Sequence, residues 1–201
     1  MKNFRAPLLL FVLPVALLAF APTRQGSFLL DRSAVAGGQA WRLWTGHWVH
    51  FSVSHLAWNL VVLLAAGAWL ERVRPGLLLR HVSAAAPLIG LTILAAEPAL
   101  QAYGGLSALA TGVVVLLALH QLRTAGTARW VWAGVLALVA IKSVQDFSLA
   151  PPLAVDYGRA GIRTSRVAHA AGALVAVLHY VGERYGIPRA RPVPAERIAD
   201  S

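Results

Sequence analysis

Ser107 stands in the stretch Tyr103-Gly104-Gly105-Leu106-Ser107-Ala108, at the head of a long apolar segment. His169 stands in Ala168-His169-Ala170-Ala171-Gly172, at the head of another. A hydroxyl and an imidazole placed just inside hydrophobic helices are costly to keep there for packing alone. A serine hydroxyl is a weak nucleophile until a base takes its proton, and histidine can do this near neutral pH. The pair points to acyl-transfer chemistry inside a bilayer. His55 and Asn59 stand at i and i+4 and so project from one helix face. Both can donate hydrogen bonds to one oxyanion. Backbone N–H groups at the start of the Ser107 helix can do the same, aided by the helix dipole.

The elements that must position these residues are six apolar segments: Ala6–Ala21, Ser54–Leu70, Leu77–Ala96, Ser107–Leu122, Arg129–Val144 and Ser165–Val181. Several are shorter than the ~20 residues of a usual span. The fourth is a short central helix behind a Gly-Gly turn. Such a helix is tolerable when neighbours shield it and the loop before it lines a wet cavity. The reading is an all-α membrane bundle of six helices over residues 1–182, followed by a polar Pro/Arg tail over 183–201. The N-terminal run Leu8–Ala21, with Lys2 and Arg5 before it and Ala19-Phe20-Ala21 at its end, resembles a cleavable signal. Pro22 after that site and Pro14 within the run favour a retained first helix.

Composition agrees. Of 201 residues, 58% are hydrophobic and only 13% charged, and mean hydropathy is +0.63. That is a membrane composition. The net charge of +10 does not indicate nucleic acid, because the arginines cluster in short gaps between apolar runs. With both termini in the cytoplasm, the inner segments hold Lys2, Arg5, Arg72, Arg74, Arg80, Arg123, Arg129 and the four tail arginines. The outer segments hold Arg24, Arg32, Arg42, Lys142, Arg159, Arg163 and Arg166. The excess inside follows the positive-inside rule. His55, Asn59, Ser107 and His169 then share one depth near the outer face. The chain has no Cys, so thiol nucleophiles, thiolate metal sites and disulfides are excluded.

Small residues suggest how the two key helices meet. Ala108 with Gly112, and Gly172 with Ala176, are small-xxx-small pairs that permit close backbone approach. No carboxylate is placed to complete a triad. Asp146 and Asp156 fall in the loop between the fifth and sixth spans, and Glu97 ends the third. The expectation is a Ser–His dyad, and the G-x-S-x-G elbow of soluble hydrolases is absent.

These residues resemble the rhomboid family of intramembrane serine proteases. The resemblance rests on Trp41-Arg42, on His50, His55 and Asn59 in the run His50–Asn59, on Gly105-Leu106-Ser107, on Ala168-His169 followed by Gly172, and on Glu71-Arg72. It implies Ser107 as nucleophile, His169 as base, and His55 with Asn59 at the oxyanion site. Trp41, Arg42, His50, Gly105 and Gly172 are then structural or loop residues. It also implies a membrane-anchored protein substrate cut near the outer face, no cofactor, and a bacterial cell membrane as location. The run Trp41–His50 looks most like the rhombosortase branch, which is associated with bacterial proteins carrying a C-terminal Gly-Gly sorting tail. Two positions depart from the family pattern. Ala108 follows the nucleophile where Gly is usual. Thr111 stands where an aromatic ring or a His often does.

Other readings of the same residues compete. Ser107 alone can be a helix cap, and His169 alone a packing histidine. His55 and Asn59 can tie helices together. Trp41 and Trp48 can be interface anchors, and Arg42 can brace the first loop through carbonyls. Glu71 with Arg72 can be a packing pair at the inner end. His81, His120 and His179 have no visible partner in the sequence. A catalytically silent protein that binds membrane clients is one rival. A His-ligated haem or metal protein using His47, His50 and His55 is another, although positions 50 and 55 diverge by about 140° on one helix.

Overall fold

The computed structural model describes residues 26–124, 126–148 and 165–185. The segment Ala6–Ala21, Asp156 and the tail beyond Tyr185 lie outside the described residues. Within them, a short strand β1 (Leu30–Asp31) leads into two small helices, α1 (Arg32–Ala36) and α2 (Arg42–Thr45). Long helices α3 (Val53–Val73) and α4 (Leu77–Ala96) follow. A strand β2 (Ala102–Tyr103) precedes α5 (Ser107–Thr124), and α6 (Arg129–Ser148) and α7 (Ala168–Tyr185) complete the bundle. The fold is an all-α membrane bundle, with four helical segments (α3, α4, α5 and Gly126–Ser148) long and apolar enough to cross a bilayer. The protein is an integral membrane protein.

Burial explains the order of the helices. α5 buries residues on every side, from Ala108 and Leu109 through Leu116 to Gln121. A helix apolar all round belongs in the centre. Its most extensive packing is against α7, with α3, α6 and α4 also in contact. α6 is the opposite case, with no residue buried. Its exposed Trp130, Leu138, Ile141 and Phe147 suit a lipid-facing helix, since lipid tails solvate such side chains as well as protein does.

The segment before α3 is held by polar groups that saturate backbone atoms. Arg42 is buried and donates to the carbonyls of Gly26 at 2.8 Å and Leu29 at 2.9 Å, and to Gln39 Oε1 at 2.7 Å. Pro87 interrupts α4 and cannot donate to the carbonyl four residues earlier. That carbonyl, on Ser83, accepts instead from the Trp44 indole at 3.1 Å. Arg32 plays the same part at the end of α4, donating to Leu94 O, Glu97 O and Leu100 O at 2.6, 2.9 and 3.3 Å. Unpaired buried carbonyls are costly, so Arg42 braces the first loop on itself and Arg32 fastens it to the end of α4. Trp41, by contrast, is 52% exposed.

Several expectations change. α6 runs one turn past Val144, to Ser148. Asp146 therefore lies on a helix, not in a loop, because Lys142 and Asp146 pair at i, i+4 on a continuous helical face. α7 extends to Tyr185, so Glu183 and Arg184 belong to the bundle and not to a tail. Glu183 pairs there with Arg74 at 3.5 Å, Arg80 at 3.3 Å and His120 at 3.6 Å. His81 and His179 face each other with Nδ1 atoms 3.0 Å apart. The three histidines without visible partners thus find them across helices. Glu71 does not form the packing pair with Arg72 that the sequence suggests. It is buried, and accepts from the backbone N–H groups of Gly76 at 2.5 Å and Leu78 at 3.4 Å, capping the start of α4.

Candidate active site

The β1–β2 ladder ties the first loop to the chain just before Ser107. Leu30 pairs with Tyr103 and Asp31 with Ala102. The Gly105 N–H donates to Gly46 O at 3.2 Å. Gly105 has φ +135°, a conformation that side chains rarely adopt. A Cβ there would also stand 3.3 Å from His55 Cε1. The turn therefore brings the backbone before Ser107 against the His55 ring. α5 then begins at Ser107 itself.

α5 and α7 meet at their N-terminal ends. A Cβ on Gly172 would collide with the Ala108 carbonyl, and one on Gly112 would lie 3.0 Å from Gly172 O. The two backbones are in direct contact, so no larger residue fits at Gly172. His169 lies one turn before Gly172, as Ser107 lies one residue before Ala108. The two side chains thus stand at the same end of adjoining helices, both half-buried. His55, on α3, is within electrostatic range of His169.

His50 knits this cluster together. Its Nδ1 meets Trp48 O at 3.0 Å, while Nε2 accepts from the Leu106 N–H at 3.3 Å. Asn59 Nδ2 approaches the same Nε2 at 3.5 Å. One ring nitrogen accepts a backbone N–H, so the other carries the proton and donates to Trp48. His50 is a neutral strut between the loop, α3 and the turn before Ser107. Burial pushes its imidazole down from 6.5 to about 4, with the charges of His55 and His47 acting in the same direction. An unfolded imidazole takes a proton below about pH 6.5 and the folded one does not. The stability due to His50 is therefore full above about pH 6.5 and is lost as pH falls towards 4, by up to about 3 kcal/mol. Melts of detergent-solubilised protein between pH 8 and 4.5 should show this decline, with a shallower slope in His50→Asn. An equal slope in the variant would assign the effect to other groups.

Tyr103 is a neighbour of the serine that the sequence did not single out. Its buried hydroxyl donates to Gly105 O at 3.0 Å and lies near the Ser107 side chain and the Ala108 backbone. Burial pushes its pKa up to about 12, so the phenol keeps its proton. No sequence pattern marks this role, which depends on β2 pairing with β1.

Asp146 is the other omission. The carboxylate Oδ2 lies 2.7 Å from His169 Nδ1, and Oδ1 contacts the Lys142 ammonium. The expectation that no carboxylate is well placed is overturned here. Its Lys142-x-x-x-Asp146 spacing was the available signal, since that pair favours one more helical turn. Beside it, a cavity of about 230 Å³ is lined by Thr111, Val135, Leu138, Val139, Lys142 and His169.

Of the donors in the metal reading, His50 has both ring nitrogens bonded within the protein. His47 is buried, with Nε2 2.9 Å from Ala86 O. No group of three or more His, Asp or Glu suited to a metal occurs among the described residues. Trp41 and Arg42 stand away from the cluster, in the brace of the first loop.

The chain matches the Rhomboid domain over residues 37–183, most of its length. No curated protein gives a significant match. The match includes the turn before Ser107, all five long helices and the Ala108–Gly172 contact, and on it the chain belongs to the rhomboid family, a family of intramembrane proteases acting on membrane-embedded substrates.

Proposed function

We propose that the protein is an intramembrane serine endopeptidase using Ser107 as nucleophile and His169 as base. The observation that carries this reading is the backbone contact of Gly172 with Ala108, which sets the two helix starts side by side. Ser107 Oγ attacks the scissile carbonyl carbon and its proton passes to His169 Nε2. The oxyanion forms beside the His55 and Asn59 side chains and the N–H groups at the start of α5. Collapse of the intermediate expels the amine, which takes the proton from His169 and leaves an acyl-enzyme on Ser107. Water, deprotonated by His169, then releases the acid and restores the hydroxyl.

The substrate is a membrane-anchored protein cut near the outer face, in a bacterial cell membrane, with both termini of the enzyme cytoplasmic. The resemblance of Trp41–His50 to the rhombosortase branch suggests C-terminal Gly-Gly sorting tails as one substrate class. An amine in place of water would make the second step a transfer. No cofactor is required, since the steps use only proton transfer and nucleophilic attack.

A fluorophosphonate probe tests the reading. Full-length protein in detergent should be labelled, peptide mapping should put the adduct on Ser107, and His169→Ala should lose the label. A folded, unlabelled wild type would support the silent client-binding alternative, and an adduct on another serine would overturn the assignment.

A further inference from the structure

The geometry points to Asp146 as a positioning residue that fixes the tautomer and orientation of His169, extending the serine–histidine pair to three members. This rests on the assignment of Ser107 and His169 made above. An ionised carboxylate can only accept hydrogen bonds, so the 2.7 Å contact places the imidazole proton on Nδ1. Nε2 is then left unprotonated, as a base requires. The other tautomer would put a proton on the nitrogen that must receive one.

Three further observations favour this role over a plain helix-surface ion pair. First, the Asp146 side chain is only 12% exposed. A carboxylate so far from water needs partners for both oxygens. Lys142, itself about half exposed, contacts Oδ1, and Oδ2 is used by His169. The carboxylate plane is thus fixed from both sides. Second, α6 buries none of its residues, so its packing does little to hold this end. The Asp146–His169 bond is a polar tie from α6 to the start of α7. Third, the His169 ring borders an open cavity shared with Thr111 and Leu138. Packing on that side does not lock the ring, and a directed hydrogen bond does.

No proton leaves the imidazole for Asp146 in this scheme. The carboxylate accepts from Nδ1–H throughout, and its charge steadies the imidazolium that forms when Nε2 takes the serine proton. Lys142 contacts the carboxylate oxygen that His169 does not use.

The test uses the full chain in detergent with Asp146→Asn and Asp146→Ala. Two quantities are read: the rate of fluorophosphonate labelling at Ser107, and the His169 tautomer from spectra of ¹⁵N-histidine-labelled protein. His169 is assigned by difference from His169→Gln. Wild-type His169 should carry its proton on Nδ1. Asp146→Ala should shift the proton towards Nε2, and both variants should label at least about 100-fold more slowly, with melting temperatures within a few degrees of wild type. An unchanged tautomer in Asp146→Ala, or a labelling rate within about threefold of wild type, would overturn the inference while leaving the protease reading intact. If wild type carries no label on Ser107, the protease reading fails instead, and the tautomer spectra still decide whether Asp146 sets the imidazole.

Discussion

Ser107→Ala is expected to lower cleavage of a membrane-anchored reporter in proteoliposomes by on the order of 10⁶-fold, as for the loss of a serine nucleophile elsewhere. The reason is chemical. The other hydroxyl at this turn, that of Tyr103, donates to Gly105 O and keeps its proton, and the chain has no Cys to supply a thiol. Without Oγ there is no acyl-enzyme, and only weak electrostatic acceleration of water remains. Stability should hardly move. The first turn of α5 is closed by Leu106 O accepting from the Ala110 N–H at 2.8 Å, which the substitution leaves intact. Tyr103 keeps its bond to Gly105 O. The hydroxyl's own contact contributes about 1 kcal/mol at most. Cleavage above about 1% of the wild-type rate, with a wild-type melt, would sink the assignment of Ser107.

Gly172→Val should damage fold and activity together. Any Cβ at 172 collides with the Ala108 carbonyl and lies 2.9 Å from its carbon. A side chain can turn away from such a clash, but helix backbone cannot. α5 and α7 must separate, and they form the most extensive helix pair of the bundle. Overpacking of this kind costs about 1–3 kcal/mol even where neighbours can adjust, and here the upper end is expected. The separation also moves His169 away from Ser107. A displacement of about 1 Å at reacting groups lowers rates by about 100-fold. Labelling of Ser107 should therefore fall at least that far, and the melting temperature should drop by several degrees. Gly182→Val is the matched control, because a Cβ there meets nothing within 4 Å. Equal behaviour of the two variants would show that the close approach at Gly172 is not what holds the site.

The membrane character and the helix start at Ser107 were legible because they depend on local properties, whereas the helix of His169 starts at Ala168, three residues after the expected Ser165. Apolar runs, a Gly-Gly turn and small residues at i, i+4 are written along the chain. Leu77–Ala96 agrees end to end with α4, since Gly76 precedes it and Glu97-Pro98 closes it. The ends of α6 and α7 were not legible. Polar residues there read as loop or tail, but Asp146 and Glu183 are helical and their carboxylates meet groups distant in sequence: His169 for Asp146, and Arg74, Arg80 and His120 for Glu183.

The sequence by itself determined an all-helical membrane protein and the residue types from which a serine–histidine site could be built. Hydrophobic periodicity and glycine placement act over a few residues, so one chain suffices to read them. Only the tertiary structure decided which polar groups meet. The engagement of His50 with Leu106, the closeness of Tyr103 to Ser107, and the bond of Asp146 to His169 all join residues from separate elements. Each exists because a polar group removed from water must find a partner wherever the packing supplies one.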